Sequence, residues 1–359
     1  MELAGLLSDY KLDFELKYEN LILPSQRQAM NSILGCRKPE CGEMLVQCTH
    51  CGKLELKPHS CGHRSCPKCQ NHEATEWLER QRQKLLPVPY FLVTFTVPAQ
   101  LRNTIGNHQR VAFESMFRAG KESLEEIAEN NRYMGGEIGM TGVLHTHSRK
   151  LEFHPHIHFL VPAGCINRKQ KALKRKRWKF LFPENALADL FRGKLLALFG
   201  ENGLMISEQI SASRWVVNCK RVGRGEKALE YLSRYLYRGV ISEKRIVENK
   251  DGKVTFLYRE NKSGKLKRRT LPGPDFLRLL LQHVLPKGFR RARDYGFLHG
   301  NAKKTLRLVQ LLLHVRISET GKPKRPAFIC SVCGKEMRMV VPKIYRLAQN
   351  RELQACSSP

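Results

Sequence analysis

The spacing of apolar positions separates helical from extended segments along the chain. Residues 73–86 (EATEWLERQRQKLL) are rich in strong helix formers, and Pro87 and Pro89 stop them. Residues 90–97 (YFLVTFTV) form a β-branched and aromatic run closed by Pro98, the pattern of a buried strand. Residues 111–130 read as a helix. Residues 141–147 and 152–161 are two short strand-like runs around the polar break Ser148-Arg149-Lys150, which predicts a β-hairpin. RWVVNC at 214–219 is a further strand, and 253–271 reads as a second hairpin around Asn261 to Gly264. Helices are expected within 1–30 and at 225–237, 274–285 and 302–314. Leu229, Leu232 and Leu236, at i, i+3 and i+7, form the buried stripe of one of them. No internal repeat is visible.

The length of 359 residues suggests two or three domains, and 42% hydrophobic with 27% charged residues is ordinary for a globular protein. No apolar run approaches the ~20 residues that cross a bilayer. The N-terminus lacks a basic segment followed by an apolar one, so the expected location is the cytoplasm. Charge changes the picture more. Lys+Arg number 63 against 33 Asp+Glu, a net +30 that calls for a polyanionic partner. Without a strongly amphipathic basic helix bearing a Trp/Phe face, nucleic acid is favoured over a membrane. Residues 168–179 (RKQKALKRKRWK) hold eight Lys/Arg and no acid. Within them Arg175, Lys176, Arg177 and Trp178 suit a DNA-backbone groove with one stacking ring, or else a solvated loop.

Seven of the twelve cysteines lie between positions 36 and 69. In a basic chain without a visible leader this reads as metal binding rather than a disulfide framework. Two CxxC pairs, Cys48/Cys51 and Cys66/Cys69, predict one structural four-cysteine zinc site, since each tight turn supplies two corners of a tetrahedron. Cys36, Cys41, Cys61 and His63 are left as a second zinc set, or as small buried and solvated residues. The tail carries one more CxxC, Cys330/Cys333, with Cys356 nearby.

Residues 145–158 read HTHSRKLEFHPHIH. His154, His156 and His158 alternate, so a strand presents them on one face, and His145 with His147 do the same on the preceding strand. A fold-back near Lys150 brings His145 opposite His156 or its neighbour. The expected metal site is His145, His156 and His158, with His154 or a more distant Gln, Glu or His as alternatives for the third ligand. Such a site has open coordination positions suited to Lewis-acid chemistry. Tyr231 and Tyr235 are four apart on the helix at 225–237, and Arg234 and Arg238 repeat that spacing for gripping phosphate. A tyrosine hydroxyl can attack a phosphodiester when a cation polarises the phosphate.

At His156-Ile157-His158, two histidines around a bulky apolar residue, the sequence resembles the HUH nucleases. FHPHIHFLVPAG is close to the motif of rolling-circle transposases of the insertion sequence IS91 family. SCGHRSCPKCQ, YLSRY and HVLPKGFRRARDYGFL (283–298) extend the resemblance in the same order. It implies an α+β fold: an antiparallel sheet of about five strands with helices on one face, plus a small N-terminal zinc-binding module. It implies a transposase acting on single-stranded DNA at insertion-element ends and on target DNA. Tyr231 and Tyr235 would be nucleophiles giving 5′-phosphotyrosine and free 3′-hydroxyls, with Mg2+ or Mn2+ at the histidines. A plasmid replication initiator or relaxase of the same chemistry, or a non-catalytic zinc-dependent DNA-binding protein, are the alternatives. The expected division is a zinc-binding domain at 1–72, a helical linker at 73–86 and a catalytic core at 87–245. A C-terminal extension at 246–320 and a tail at 321–359 follow.

Overall fold

A computed structural model describes residues 1–69, 71–167, 172–175, 180–213, 215–236, 240–260, 263–315, 323 and 325–344. The N-terminal apolar positions wind into α1 (Leu3–Tyr18) and α2 (Pro24–Gly35), the latter started by Pro24, whose fixed φ suits a first turn. The hairpin β1 (Glu43–Cys48) and β2 (Leu54–Pro58) follows, then α3 (Asn71–Arg82), which ends ahead of Pro87. The aromatic run forms β3 (Tyr90–Thr96), and α4 (Arg102–Asn107) leads into α5 (Gln109–Glu129). The histidine segments form β4 (Glu137–His147) and β5 (Phe153–Pro162), followed by the short β6 (Gly164–Asn167) and β7 (Ala172–Arg175). Next come α6 (Glu184–Glu201), α7 (Glu208–Ala212), β8 (Val216–Arg221) and α8 (Glu226–Leu236). β9 (Ile246–Lys250), β10 (Lys253–Arg259) and β11 (Leu266–Pro272) precede α9 (Gly273–Leu281). The chain ends with β12 (Ala292–Gly296), α10 (Lys303–Leu312), β13 (Phe328–Ile329) and β14 (Glu336–Ile344).

The fold is α+β with antiparallel sheets, as expected. The central sheet runs β7-β6-β4-β5-β3-β8, with β12 also paired to β4. It therefore has seven strands where about five were expected. β12 comes from ARDYG, which has no strand-like alternation and is extended by pairing with β4. Alternation along β3 sends Phe91, Val93 and Phe95 to one face, against α5 and α6. There Phe95 meets Phe159 edge-to-face at 5.7 Å and Phe191 at 4.7 Å. A second helical layer, α3, α8 and α10, covers the other face, where Trp77, Leu229, Leu232 and Val309 pack on Tyr90, Val143 and Leu160. Helices thus flank the sheet on both sides, because the β3, β4 and β5 positions on both faces are largely apolar.

β9, β10 and β11 make a second, three-stranded sheet. Phe256 and Phe276 join it and α9 to Leu6, Leu7 and Phe14 of α1 and Met30 of α2 in one core. The third sheet has the order β13-β14-β1-β2, so a strand from the tail lies beside β1.

Candidate metal centre and tyrosine helix

The β4–β5 hairpin sets the histidines by register. His145 faces His156 across the pair and Val143 faces His158, while β3 places Thr94 beside His158. The turn between the strands is clamped from α9's end. Leu151 takes φ +65°, and its carbonyl accepts hydrogen bonds from His283 Nε2 at 2.8 Å and Gln282 Nε2 at 3.1 Å. The ligand atoms of His145, His156 and His158 all lie within 4.8 Å of one another. Their ring centroids are 4.4 to 5.2 Å apart. His145 and His158 are buried, at 2% and 8% exposure.

Burial keeps these rings neutral at pH 7. It lowers His145 well below the ordinary imidazole range, His156 to about 4 and His158 to about 3, with neighbouring rings pushing His145 and His158 the same way. Hydrogen bonds hold the rings in place. His156 Nδ1 donates to the His154 carbonyl at 2.7 Å, leaving its Nε2 lone pair open. His158 Nδ1 is 2.7 Å from Thr94 Oγ1, and its buried Nε2 has no hydrogen-bond partner among the described residues. Three neutral imidazoles whose lone pairs converge fit a divalent cation, and such outer hydrogen bonds are how proteins aim metal-binding histidines. His154 has its ring 5.1 Å from that of His156 but does not join the converging ligand atoms: its Nδ1 meets the Arg102 guanidinium at 2.9 Å.

α8 crosses this face with its leucines buried and Tyr231 turned toward the histidines. The Tyr231 ring lies 6.0 Å from that of His145 and 6.2 Å from that of His158 and is 39% exposed. The hydroxyl-bearing ring is thus beside the cluster and open to solvent at once. Gly225 lets α8 start there. It takes φ +89°, and a Cβ on it would come within 2.9 Å of the Tyr90 ring. Arg82 of α3 also ties to Glu226 and Glu230 of α8, at 3.5 and 3.0 Å. Arg234 is exposed and lines a cleft of about 450 Å³ between α3 and α8, with Asn71, Thr75 and Glu230. Tyr235 lies on α8 and Arg175 on β7, with side chains outside the description; Arg238, Lys176, Arg177 and Trp178 lie outside the described residues.

The cysteines group differently from the expectation. Cys36, Cys61, Cys66 and Cys69 form one set and Cys48, Cys51, Cys330 and Cys333 another, with all sulfurs of a set within 4.8 Å. Cys48/Cys51 therefore do not meet Cys66/Cys69. The first pair is carried off on the β1–β2 hairpin, while the second faces Cys36 at the end of α2, 3.5 Å from it at both sulfurs. Cys41 and His63 fall outside both sets. The Cys41 thiol turns back to donate to the Gly35 carbonyl at 3.0 Å, and His63 Nδ1 accepts from the Ser65 amide at 3.1 Å. Both sets fit Zn2+, which takes four thiolates tetrahedrally. Sequence reasoning missed Thr94 and His283. A Thr or His next to a histidine through space leaves no signal in spacing, although His283 lies in the segment 283–298.

The segments that carry the histidine cluster and the cysteine-rich module match transposase sequences. A family model described as "Putative transposase" matches residues 139–305, and one described as "Transposase zinc-binding domain" matches residues 6–97. A relative in Sinorhizobium fredii, "Putative transposase y4qJ", is 33% identical over 350 residues, covering 90% of this chain and 87% of that protein. The "Transposase for insertion sequence element IS801" of Pseudomonas savastanoi pv. phaseolicola is 28% identical over 283 residues, 74% of this chain and 67% of that one. No solved structure matches the chain. The chain belongs to the IS91/IS801 family of insertion-sequence transposases. Among the described residues no helix is long and apolar enough to cross a membrane.

Proposed function

We propose that this transposase cleaves and rejoins single-stranded DNA at the ends of its element, using Tyr231 as nucleophile and His145, His156 and His158 as metal ligands. The observation that supports this best is the pairing of a converging neutral histidine trio with an accessible tyrosine 6.0 and 6.2 Å from two of its rings. Bound Mg2+ or Mn2+ would polarise the scissile phosphate and offset charge on its non-bridging oxygens. Tyr231 gives up its hydroxyl proton as Oη attacks phosphorus, the P–O3′ bond breaks, and the leaving 3′-oxygen takes up a proton to become a free hydroxyl. The 5′-phosphate is then held on Tyr231. Attack by a 3′-hydroxyl on that linkage reverses the step and rejoins strands, including onto target DNA. Tyr235 would serve a second cleavage while Tyr231 still holds DNA. Arg234 and Arg238, with Arg175, Lys176, Arg177 and Trp178, would hold the backbone of the strand, consistent with the +30 charge.

The test is cleavage of a labelled single-stranded element end with Mg2+ or Mn2+ by wild type, Tyr231→Phe, Tyr235→Phe and His156→Ala. A denaturant-resistant protein–DNA adduct that disappears in His156→Ala and Tyr231→Phe is the expected result. Binding of a verified end without any adduct would overturn it, leaving Tyr231 as a packing residue in a DNA-binding surface.

A further inference from the structure

We propose that Cys48, Cys51, Cys330 and Cys333 bind a zinc ion of their own, so that the C-terminal tail supplies half of a metal site begun near the N-terminus. The two halves are the same device built twice. Cys48-Thr-His-Cys-Gly-Lys53 and Cys330-Ser-Val-Cys-Gly-Lys335 share the pattern CxxCGK. Their backbones match bond for bond. The Cys48 amide donates to the Lys53 carbonyl at 2.8 Å, and the Cys330 amide to the Lys335 carbonyl at 2.9 Å. The Gly52 amide donates to the Cys48 carbonyl at 3.3 Å, and that of Gly334 to Cys330 at 3.0 Å. Gly52 and Gly334 both take left-handed backbone, at φ +73° and +67°.

Each turn aims amide hydrogens at its first sulfur. The amides of His50 and Cys51 lie 3.4 and 3.5 Å from Cys48 Sγ, and the Val332 amide 3.4 Å from Cys330 Sγ. Such donors favour a thiolate, the form that ligates metal. The antiparallel pairing of β1 with β14 then brings the turns face to face. Cys48 and Cys333 sulfurs are 3.4 Å apart and those of Cys51 and Cys330 3.7 Å. That is near the ~3.8 Å edge of a tetrahedron with Zn–S bonds of 2.3 Å, and far from the ~2.05 Å of a disulfide. Side chains lock the same contact. The Thr49 hydroxyl donates to the Glu336 carbonyl at 2.9 Å, and the Ser331 hydroxyl to Glu55 at 2.6 Å.

The sheet they join has little else to hold it. Its buried core is Val46, Cys48, Cys330 and Met337, so half of it is sulfur ligand. A sheet with so few buried apolar groups needs a metal or another cross-link to be stable. The zinc-binding family model ends at residue 97, so the tail half lies beyond it. The site does not depend on the tyrosine chemistry proposed above.

The test is zinc content per chain of the full-length protein carrying His156→Ala and His158→Ala, which removes the histidine trio as a further binding place. Two zinc ions are expected. Cys330→Ser with Cys333→Ser should leave one, as should Cys48→Ser with Cys51→Ser, and the four substitutions together should still leave one. Two ions retained without the tail cysteines, or none in the four-fold variant, would overturn the proposal. Wild-type protein supplies a check that does not rely on variants folding. During stepwise zinc extraction, alkylation mapped by mass spectrometry should reach Cys48, Cys51, Cys330 and Cys333 together, in one step separate from Cys66 and Cys69. Labelling of Cys330 and Cys333 with both zinc ions still bound would overturn it.

Discussion

Replacing Thr94 by Val isolates the part of the histidine trio that lies outside it. Valine keeps the shape and branching of threonine but cannot hydrogen-bond. The Oγ1 that it removes is 2.7 Å from His158 Nδ1. For His158 to offer Nε2 to a metal, Nδ1 must carry the proton and donate to Thr94 Oγ1. Loss of that acceptor frees both the ring's orientation and its tautomer. Outer partners of this kind are worth about 10–100-fold in metal affinity, or roughly 1.4–2.8 kcal/mol. The folding cost is smaller, about 1 kcal/mol for one hydrogen bond. Mn2+ titration of protein that keeps its cysteine-bound zinc and carries no other metal, followed by electron paramagnetic resonance, should show that weakening in Thr94→Val. Thr94→Ser, which restores the oxygen, should recover most of it. Circular dichroism checks that the fold is kept. An unchanged Mn2+ affinity in folded Thr94→Val would refute the reasoning that this bond aims His158.

Three further outcomes follow from packing and protonation. Gly225→Ala puts a methyl into left-handed backbone against Tyr90 and should cost about 2–4 kcal/mol of stability; calorimetry showing an unchanged melting temperature would contradict the role given to this glycine. Phe159→Ala empties the centre of the α5-side core, where Phe159 is fully buried among Phe95 and Phe117. Urea unfolding should show a loss of about 3–5 kcal/mol. Burial lowers His283 to about 4 from 6.5, so the unfolded chain binds the proton first as pH falls. Its contribution is complete above pH 6.5 and is lost on acidification towards 4, by about 3 kcal/mol. His283→Gln, which can still donate to the Leu151 carbonyl, should make the stability profile less steep across that window, the other buried histidines keeping the rest of the slope; identical profiles would exclude a contribution from His283.

What could be read from the sequence was what depends on local spacing. The alternation of His154, His156 and His158 declared a strand, and a polar break six residues earlier declared the hairpin that brings His145 opposite His156. The stripe Leu229, Leu232, Leu236 placed α8 with Tyr231 off the buried face. The cysteines show the limit. A CxxC turn is a local object, but which two turns meet is decided by strands far apart in sequence. β14 pairs with β1, and that drew Cys48/Cys51 toward the tail and left Cys66/Cys69 to Cys36. β12 was hidden for the same reason, since nothing in ARDYG asks to be extended until β4 offers its edge. The second helical layer follows from apolar residues on both faces of β3, and the clamp on Leu151 from α9, which packs from another sheet.

The pairing of β1 with β14 also sets an order of events in synthesis. Cys48 and Cys333 are separated by 285 positions. At roughly 5–20 residues per second a ribosome needs about 15–60 s to cover that distance. Throughout that interval β1 has β2 on one edge and nothing from the chain to occupy the other. The β1–β2 hairpin thus emerges well before the strand that completes its sheet. A nascent chain stopped anywhere short of β14 carries an open strand edge, which makes interruption of translation a route to aggregation rather than to a shorter working protein.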